Sequence, residues 1–413
     1  MRTLRNLVLV LAFLTVVAPA AGAQGPAVTL QFAYWGDQEY HQAIVGALEA
    51  FQEEYPSIRV EPLYVTGITF TDAILTRLAG GIMPDVMDMS VELFPLLMDN
   101  RALLDLGPFI DRDSELDRET WLPGVLEMFS DGERVYALPR SPNVYVLWYN
   151  ANAFDEAGIG RPQEGMDWAG YVDAARRLTV RRSEDVVDRW GASPYSWISA
   201  VFENGGRVIG ESGFELRSEA ALEALRWVAD HGLQSRFAPT PGMRVPATAF
   251  LEGRFAMSAQ GSWRLAAHLA IDSFEWSATG LPIQKAAAAE GSIDMGVIAA
   301  QTQHPDEAWL LLKYLNVKGE RVATIFESYG KLKPPLTRDP GVHGEIWAGE
   351  PRADVKRLIT AESAHIVDPF HGLVKAAELR SAINPVINQI LDGTVSAEAG
   401  IERLNPVIDG ILR

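Results

Sequence analysis

The sequence predicts an α/β protein built from two lobes. Its 413 residues exceed the size at which one hydrophobic core keeps growing, so two domains are expected. Residues 28–89 alternate strand and helix patterns in the order β-α-β-α-β, which opens a doubly wound sheet. A later strand-to-helix turn, at residues 255–263, carries a tryptophan at the edge where open α/β sheets bind ligands.

The first strand has a clear period of two. Its apolar positions are Val28, Leu30, Phe32 and Tyr34. Apolar residues then recur at helical spacing over 44–55, until Pro56 ends the pattern. Residues 58–65 and 85–89 predict the second and third strands, and residues 71–79 predict the helix between them.

Polar and aromatic residues follow the first and third predicted strands. They are Trp35, Asp37 and Glu39 after the first strand, and Asp88 and Glu92 after the third. Because the carboxyl ends of parallel strands meet at one edge, we expect these side chains to gather there as a binding site. The structural alternatives are that Asp37 caps a helix and that Glu92 is a solvated acid at a helix start.

Residues 249–268 read as a helix end (249–252), a short strand (255–257) and a polar turn that presents Trp263 and Arg264 at the start of another helix. An indole at such a turn suits a ligand platform. Packing of Trp263 in a core or under a lid is the alternative.

Composition excludes several functions. There is no cysteine, which excludes disulfides, thiol catalysis, thiolate metal sites and a lipid-anchored cysteine. Residues 1–23 combine a basic start, an apolar run and a small-residue end, as in a cleaved signal peptide. Their removal takes away Arg2 and Arg5 and changes the net charge from −18 to −20, which disfavours nucleic acid and anionic lipid as partners.

No catalytic motif is recognisable. The seven histidines show no metal-binding spacing, and neither a G-x-S-x-G elbow nor a phosphate-binding loop occurs. We therefore expect no enzyme activity, no metal and no cofactor. A secreted glycan-active enzyme stays as an alternative, because Asp and Glu are abundant enough to supply a carboxylate pair.

Several stretches resemble extracellular solute-binding proteins of family 1, the maltose-binding-protein-like periplasmic receptors of ABC importers. Residues 250–263 resemble the family run aFxxGkaAMxxxGsW, and residues 135–150 (VYALPRSPNVYVLWYN) resemble its first crossing between lobes. Residues 304–314 and 384–412 resemble its later helices. The resemblance implies a type II periplasmic-binding-protein fold, in which two doubly wound lobes are joined by crossing hinge segments.

On that resemblance, residues 24–140 and 282–320 form lobe one, and residues 141–281 and 321–413 form lobe two. The resemblance also implies that Tyr195, in the segment SPY, lies under a sugar, although Ser193 stands where the family member has glutamate. The expected site therefore comprises both lobes. Its predicted residues are Trp35, Asp37, Glu39, Asp88, Glu92, Tyr195, Trp263 and Arg264.

The predicted function is capture of a mono- or oligosaccharide in the cleft and its delivery to membrane permease subunits of an ABC importer. We expect a periplasmic monomer without a lipid anchor. A polyamine or another small solute is the alternative ligand, because aromatic and acidic residues would suit both. Arg140 and Arg264 would repel a polycation if they face the cleft, and would not matter if they lie on the surface.

Overall fold

The structure, a computed structural model, describes residues 28–66, 69–89, 91–121, 124–210, 213–243, 245–246, 248–317, 352–370 and 372–413. The predicted signal peptide (1–23) lies outside the described residues. Residues 318–351, between the predicted return to lobe one and the C-terminal part of lobe two, also lie outside them. Within the described ranges, no helix is both long and apolar enough to cross a membrane.

The chain begins with the predicted β-α-β-α-β unit. Its elements are β1 (Val28–Gly36), α1 (Gln38–Glu54), β2 (Ile58–Thr66), α2 (Phe70–Gly80) and β3 (Val86–Met89). The side chain of Asp37 caps α1 by accepting a hydrogen bond from the backbone N–H of Tyr40. Gly81 ends α2 in the left-handed conformation, with φ of 66°, which glycine adopts without steric cost.

Short elements complete this part of the chain before a long strand leaves it. They are α3 (Phe94–Asp99), α4 (Gly107–Arg112), the 3₁₀ turns Arg118–Thr120 and Glu127–Phe129, the hairpin β4 (Ser130–Asp131) and β5 (Arg134–Val135), and the long strand β6 (Leu138–Asn150).

The elements that follow β6 form the second lobe. They are α5 (Ala151–Ala157), α6 (Trp168–Leu178), β7 (Val180–Arg181), β8 (Val187–Ala192), α7 (Trp197–Glu203), β9 (Ile209–Gly210), β10 (Gly213–Phe214), α8 (Glu219–Leu233), β11 (Phe255–Gly261), the 3₁₀ turn Ser262–Arg264, α9 (Leu265–His268) and β12 (Trp276–Thr279). The predicted helix end at 249–252 is a turn. Gly253, which follows it with φ of 68°, takes a backbone conformation outside the helical region.

A second long strand, β13 (Ala289–Ile298), brings the chain back to the first lobe, where α10 (Pro305–Asn316) follows. The last described elements are α11 (Ala353–Glu362), the 3₁₀ turn Ser363–His365, β14 (Ile366–Val367), α12 (Ala376–Leu391) and α13 (Ala397–Leu412).

Most of the strands join into one sheet in the order β2-β1-β3-β13-β6-β11-β8-β7, whereas β4 with β5 and β9 with β10 form separate two-stranded sheets. The pairs β1–β2, β1–β3 and β11–β8 are parallel, as expected for α/β units, whereas β13 is antiparallel to both β3 and β6. Strand β12 pairs with β6 and β14 with β13. The two long strands β6 and β13 thus pair with each other and run through both halves of the molecule.

Two hydrophobic cores lie at opposite ends of these crossing strands. One contains buried residues from 30–138 and 293–315, which together form lobe one. The other contains buried residues from 144–289 and 355–408, which form lobe two. The predicted fold class, two α/β lobes joined by crossing segments, is confirmed.

The hydrogen bonds of one segment differ from its predicted lobe assignment. Residues 282–289, which we assigned to lobe one, lie with lobe two. The N–H of Ile283 donates to the carbonyl of Met166 at 2.8 Å, and the N–H of Lys285 donates to the carbonyl of Glu203 at 2.7 Å. The return to lobe one therefore begins with β13. This strand starts in the core of lobe two and ends in the core of lobe one.

Candidate ligand-binding site between the lobes

The end of β1 carries three of the predicted site residues, and two of them have structural contacts. The ring of Trp35 is half-buried and lies against Phe70, with centroids 4.5 Å apart. Asp37 is exposed and caps α1, the alternative that the sequence allowed. Glu39 is exposed in the first turn of α1, where its charge complements the helix dipole.

Asp88 is part of a buried ion pair and is not a surface acceptor. Its carboxylate receives two hydrogen bonds from Arg140, at 2.7 and 3.2 Å, and one from the hydroxyl of Tyr40 at 2.5 Å. Only 2% of Asp88 is exposed, so we no longer place it among residues that accept sugar hydroxyls. Arg140 is also buried, which excludes both roles considered for it, at the cleft and on the surface.

This ion pair continues into the crossing strands. Asp294 of β13 lies 3.7 Å from Arg140 and accepts hydrogen bonds from Asn143 at 2.5 Å and Ser141 at 3.5 Å, both on β6. Burial raises the pKa of the Tyr40 hydroxyl well above its ordinary range, with Arg140 acting in the opposite direction. The network therefore fixes β6 and β13 where they leave lobe one.

Tyr195 is in the core of lobe two, which corrects the prediction that it faces a ligand. Its hydroxyl donates to Glu203 at 2.8 Å, and its ring packs edge-on against Tyr171 and Trp227. Only 5% of Tyr195 is exposed. Because these contacts enclose the side chain, no ring face is left for stacking on a sugar.

Trp263 is the predicted aromatic residue that does present a surface. The side chain is 43% exposed and packs edge-on against Tyr145 of β6, with centroids 5.6 Å apart. The indole lies directly over Gly261, where an added Cβ would be 2.0 Å from a ring carbon. The backbone N–H of Val144 donates to the hydroxyl of Ser262 at 3.3 Å, which ties the turn to the crossing strand.

Arg264 follows Trp263 and is half-buried. Its charge acts on the neighbouring Tyr145 hydroxyl: burial raises the pKa of Tyr145, Glu290 raises it further, and Arg380 and Arg264 oppose the increase. The hydroxyl of Tyr145 is therefore close to both positive and negative groups. Charged side chains thus lie near the hydroxyl end of Tyr145, whose ring packs against Trp263.

Glu92 joins this group across the lobes. Its carboxylate lies 2.8 Å from Nε of Arg380, a residue of α12 in lobe two. Arg380 also approaches Asp368 and Glu290, at 3.5 and 3.9 Å, and Glu290 accepts a hydrogen bond from Ser196 at 2.7 Å. We call Glu92, Glu290, Asp368 and Arg380 the inter-lobe charge cluster.

The sequence predicts Glu92 and Trp263 as site residues but gives no prediction for Tyr145, Glu290 and Arg380, which lie between them in the chain of contacts described above. Tyr145 had a signal, since it stands in the run that resembles the first crossing between lobes. Arg380 had none, because it lies on a helix far along the chain from Glu92. Within the described ranges, no group of three or more His, Cys, Asp or Glu side chains is arranged to hold a metal ion.

The comparison with known proteins decides the family. The sequence profile of the bacterial extracellular solute-binding proteins matches residues 18–321, well over half of the chain. The chain belongs to this family. The resemblance seen in residues 250–263 is therefore confirmed, and this solute-binding protein is similar over its whole fold to solved members of the class.

Its relatives are distant in sequence. The multiple sugar-binding protein of Streptococcus mutans is 22% identical over 65% of this chain and 66% of its own length. The chain spans less than two thirds of the length of these curated relatives.

Solved structures agree over nearly the full chain. An ABC substrate-binding protein from Listeria monocytogenes, in complex with cycloalternan, has a TM-score of 0.83 at 19% identity and covers 93% of this chain and 99% of its own. UgpB from Mycobacterium tuberculosis, in complex with glycerophosphocholine, has a TM-score of 0.78 at 17% identity and covers 92% and 98%. At such identities the likeness shows the fold alone.

Proposed function

We propose that this solute-binding protein captures a small carbohydrate between its lobes and presents it to the permease of an ABC importer. The observation that carries the proposal is the exposed indole of Trp263, fixed over Gly261 beside Tyr145, whose hydroxyl is under the electrostatic influence of Glu290 and Arg380. A sugar ring has an apolar C–H face and a polar rim, so an aromatic surface flanked by charged hydrogen-bonding groups suits it.

The energetics are adequate for transport. Micromolar affinity corresponds to about 8 kcal/mol, and hydrogen bonds to charged groups contribute roughly 1.5–3 kcal/mol each. A few such bonds together with stacking reach this value after the cost of association. Among the relatives, a multiple sugar-binding protein and a cycloalternan complex favour carbohydrate, whereas the glycerophosphocholine complex represents another class of small solute.

The first test combines a thermal-shift screen with titration calorimetry. A thermal-shift screen against mono- and oligosaccharides identifies the sugar, because a ligand at about 100 times its Kd stabilises a protein by about 2.7 kcal/mol. Trp263→Ala is then expected to lower the affinity by about 2 kcal/mol or more without unfolding the protein. Undiminished sugar affinity in folded Trp263→Ala would overturn the proposed site.

Trp190→Ala is the matched control for this titration. Trp190 also lies in lobe two and is half-buried, and it pairs with Phe255 at the opposite end of β11 from Gly261. Loss of an indole at this distance from Trp263 should leave the affinity unchanged.

We also propose that the protein binds without catalysis. Family membership supports a receptor role, and the alternative, a secreted glycan-active enzyme, would require two carboxylates at catalytic separation around a glycosidic bond. Incubating the identified ligand with stoichiometric protein and analysing the products by mass spectrometry separates the two. Recovery of intact ligand is expected, and cleaved glycan would contradict the receptor function.

The site of action follows from the N-terminal sequence. We propose a periplasmic monomer. The start of the mature chain at Gln24 is proposed because residues 1–23 have the pattern of a cleaved signal peptide. The intact mass of the exported protein should equal that of residues 24–413. A mass that retains residues 1–23 would contradict this assignment, and elution as a dimer would contradict the monomer.

A further inference from the structure

Arg380 extends from α12 into the contact between the lobes. Its Nε lies 2.8 Å from Oε1 of Glu92, one Nη lies 3.5 Å from Oδ1 of Asp368, and the other lies 3.9 Å from Oε1 of Glu290. The guanidinium carbon is 4.8 Å from the centre of the Phe370 ring. The cation of Arg380 is therefore bounded by three carboxylates and one aromatic ring.

These contacts come from both lobes. Asp368 and Phe370 follow β14, and Glu290 lies on the part of β13 that pairs with β14, so lobe two holds the guanidinium in place. Glu92 approaches it from lobe one, after β3. The cation position is thus built by lobe two and completed by lobe one, as expected for a ligand position in a two-lobe receptor.

The inter-lobe charge cluster contains three carboxyl groups and one guanidinium group. Burial raises the pKa of Glu290, and the charges of Asp368 and Glu92 also raise it, whereas Ser196 and Arg380 lower it. The carboxylates therefore repel one another, and the guanidinium offsets that repulsion. Without Arg380 the cluster would strongly attract another cation.

Two aromatic residues, Phe370 and Tyr145, also lie near the inter-lobe charge cluster. Phe370 contacts the guanidinium itself, and the hydroxyl of Tyr145 lies within the electrostatic influence of both Glu290 and Arg380. The ring of Tyr145 in turn packs against Trp263. Carboxylates together with aromatic faces are the combination by which proteins bind organic ammonium ions.

We propose that Arg380 fills a cation site in the cleft and thereby determines specificity, excluding ammonium and polyamine ligands in favour of uncharged ones. The inference rests on the proposed function, since it concerns the ligand class of the same cleft. The guanidinium takes the position that an ammonium group would need, and two ordered cations cannot share it. The residual negative charge also disfavours anionic solutes such as uronates and sugar phosphates.

The test is a gain of binding. Arg380→Ala should leave an empty position between the carboxylates, and calorimetric titration with spermidine should give an affinity at least about tenfold higher than for the parent protein. Methylguanidinium should compete with spermidine in this variant, because it replaces the deleted side chain. Arg380→Lys retains a cation and should exclude spermidine as the parent does.

Arg352→Ala is the matched control. Arg352 also lies over an aromatic ring, that of Trp276, at 4.1 Å, and pairs with Asp354 in lobe two, but it has no contact with Glu92. Its removal should create no spermidine site. If Arg380→Ala does not fold, Arg380→Gln, which keeps most of the side-chain volume without charge, replaces it in the same titration.

The outcomes separate this inference from the proposed function. A folded Arg380→Ala or Arg380→Gln protein that binds spermidine no better than the parent overturns the cation site, as does tight spermidine binding by the parent. Failure of the parent to bind any carbohydrate counts against the proposed function, but it would not affect a spermidine affinity gained only when Arg380 is removed.

Discussion

Glu203 is a carboxyl group buried in the core of lobe two. It accepts hydrogen bonds from the indole N–H of Trp168 at 2.7 Å and from the hydroxyl of Tyr195 at 2.8 Å. Burial raises its pKa to about 8, although both hydrogen bonds oppose the increase. Glu203 is therefore protonated and uncharged at neutral pH, so lobe two does not bury a negative charge at this position.

This shift predicts the pH dependence of stability. The folded protein keeps a proton on Glu203 that the unfolded chain releases above about pH 4.5. The contribution of this proton to the free energy of unfolding is therefore fully present below about pH 4.5 and is lost as the pH rises through 8. Between pH 5 and 8.5, the free energy of unfolding of the parent should fall by about 4 kcal/mol more than that of Glu203→Gln. Urea titrations at the two pH values measure this difference. Parallel changes in both proteins would contradict the shift.

At the scale of single residues, the sequence could identify chemistry but not exposure. The sequence predicts Trp263 and Glu92 as site residues because functional residues favour the turns that follow strands. Asp88 and Tyr195 satisfied the same kind of criterion, yet each is buried by a partner that only the tertiary structure reveals, Arg140 for Asp88 and Glu203 for Tyr195. The partner of a buried polar group lies far along the chain, and residue spacing carries no information about it.

The elements, by contrast, were largely predictable. The first three strands, the helices between them and β11 have strong hydrophobic periodicity and clear turn residues, and the structure places them within a few residues of the prediction. The exception, a helix end at 249–252, is too short for periodicity to distinguish a helix from a turn. Short segments take their conformation from the surrounding packing.

The turn between β11 and α9 gives a prediction at the scale of an element. Gly261 has an ordinary φ of −67°, so Gly261→Ala causes no backbone strain, but its Cβ would overlap the indole of Trp263. The ring must move, and we expect sugar affinity to fall about tenfold with little change in the melting temperature. Titration calorimetry against the identified sugar measures the loss.

Gly160→Ala is the control for this substitution, because an added Cβ there meets open space and its backbone does not require glycine. Both variants add one methyl group to lobe two. Equal sugar affinity in Gly261→Ala and Gly160→Ala would show that the position of the indole over Gly261 is not needed for binding.

The whole molecule is organised by the contact of its lobes. Glu92 of lobe one reaches Arg380 of lobe two, so this contact requires the lobes to be close together. A ligand that touches both lobes shifts the population toward that arrangement. Small-angle scattering should therefore show a smaller radius of gyration at saturating sugar.

Trp263→Ala at the same sugar concentration is the reference, and its profile should stay close to that of the free protein because it binds little sugar. A parent profile unaltered by saturating sugar would exclude hinge closure. The difference between the two proteins isolates closure from any effect of the sugar on the solvent.

The route of the chain through β6 and β13 also governs how the protein is made. The chain leaves the core of lobe one at Leu138 and returns to it at Ile293. This core therefore lacks β13 and α10 until nearly three quarters of the chain has been synthesised. Met87 and Val86 of β3 have no neighbour on that side until β13 arrives. An N-terminal segment therefore stays without its final strand while the first part of lobe two, residues 139–288, is synthesised, and this delays the completion of lobe one.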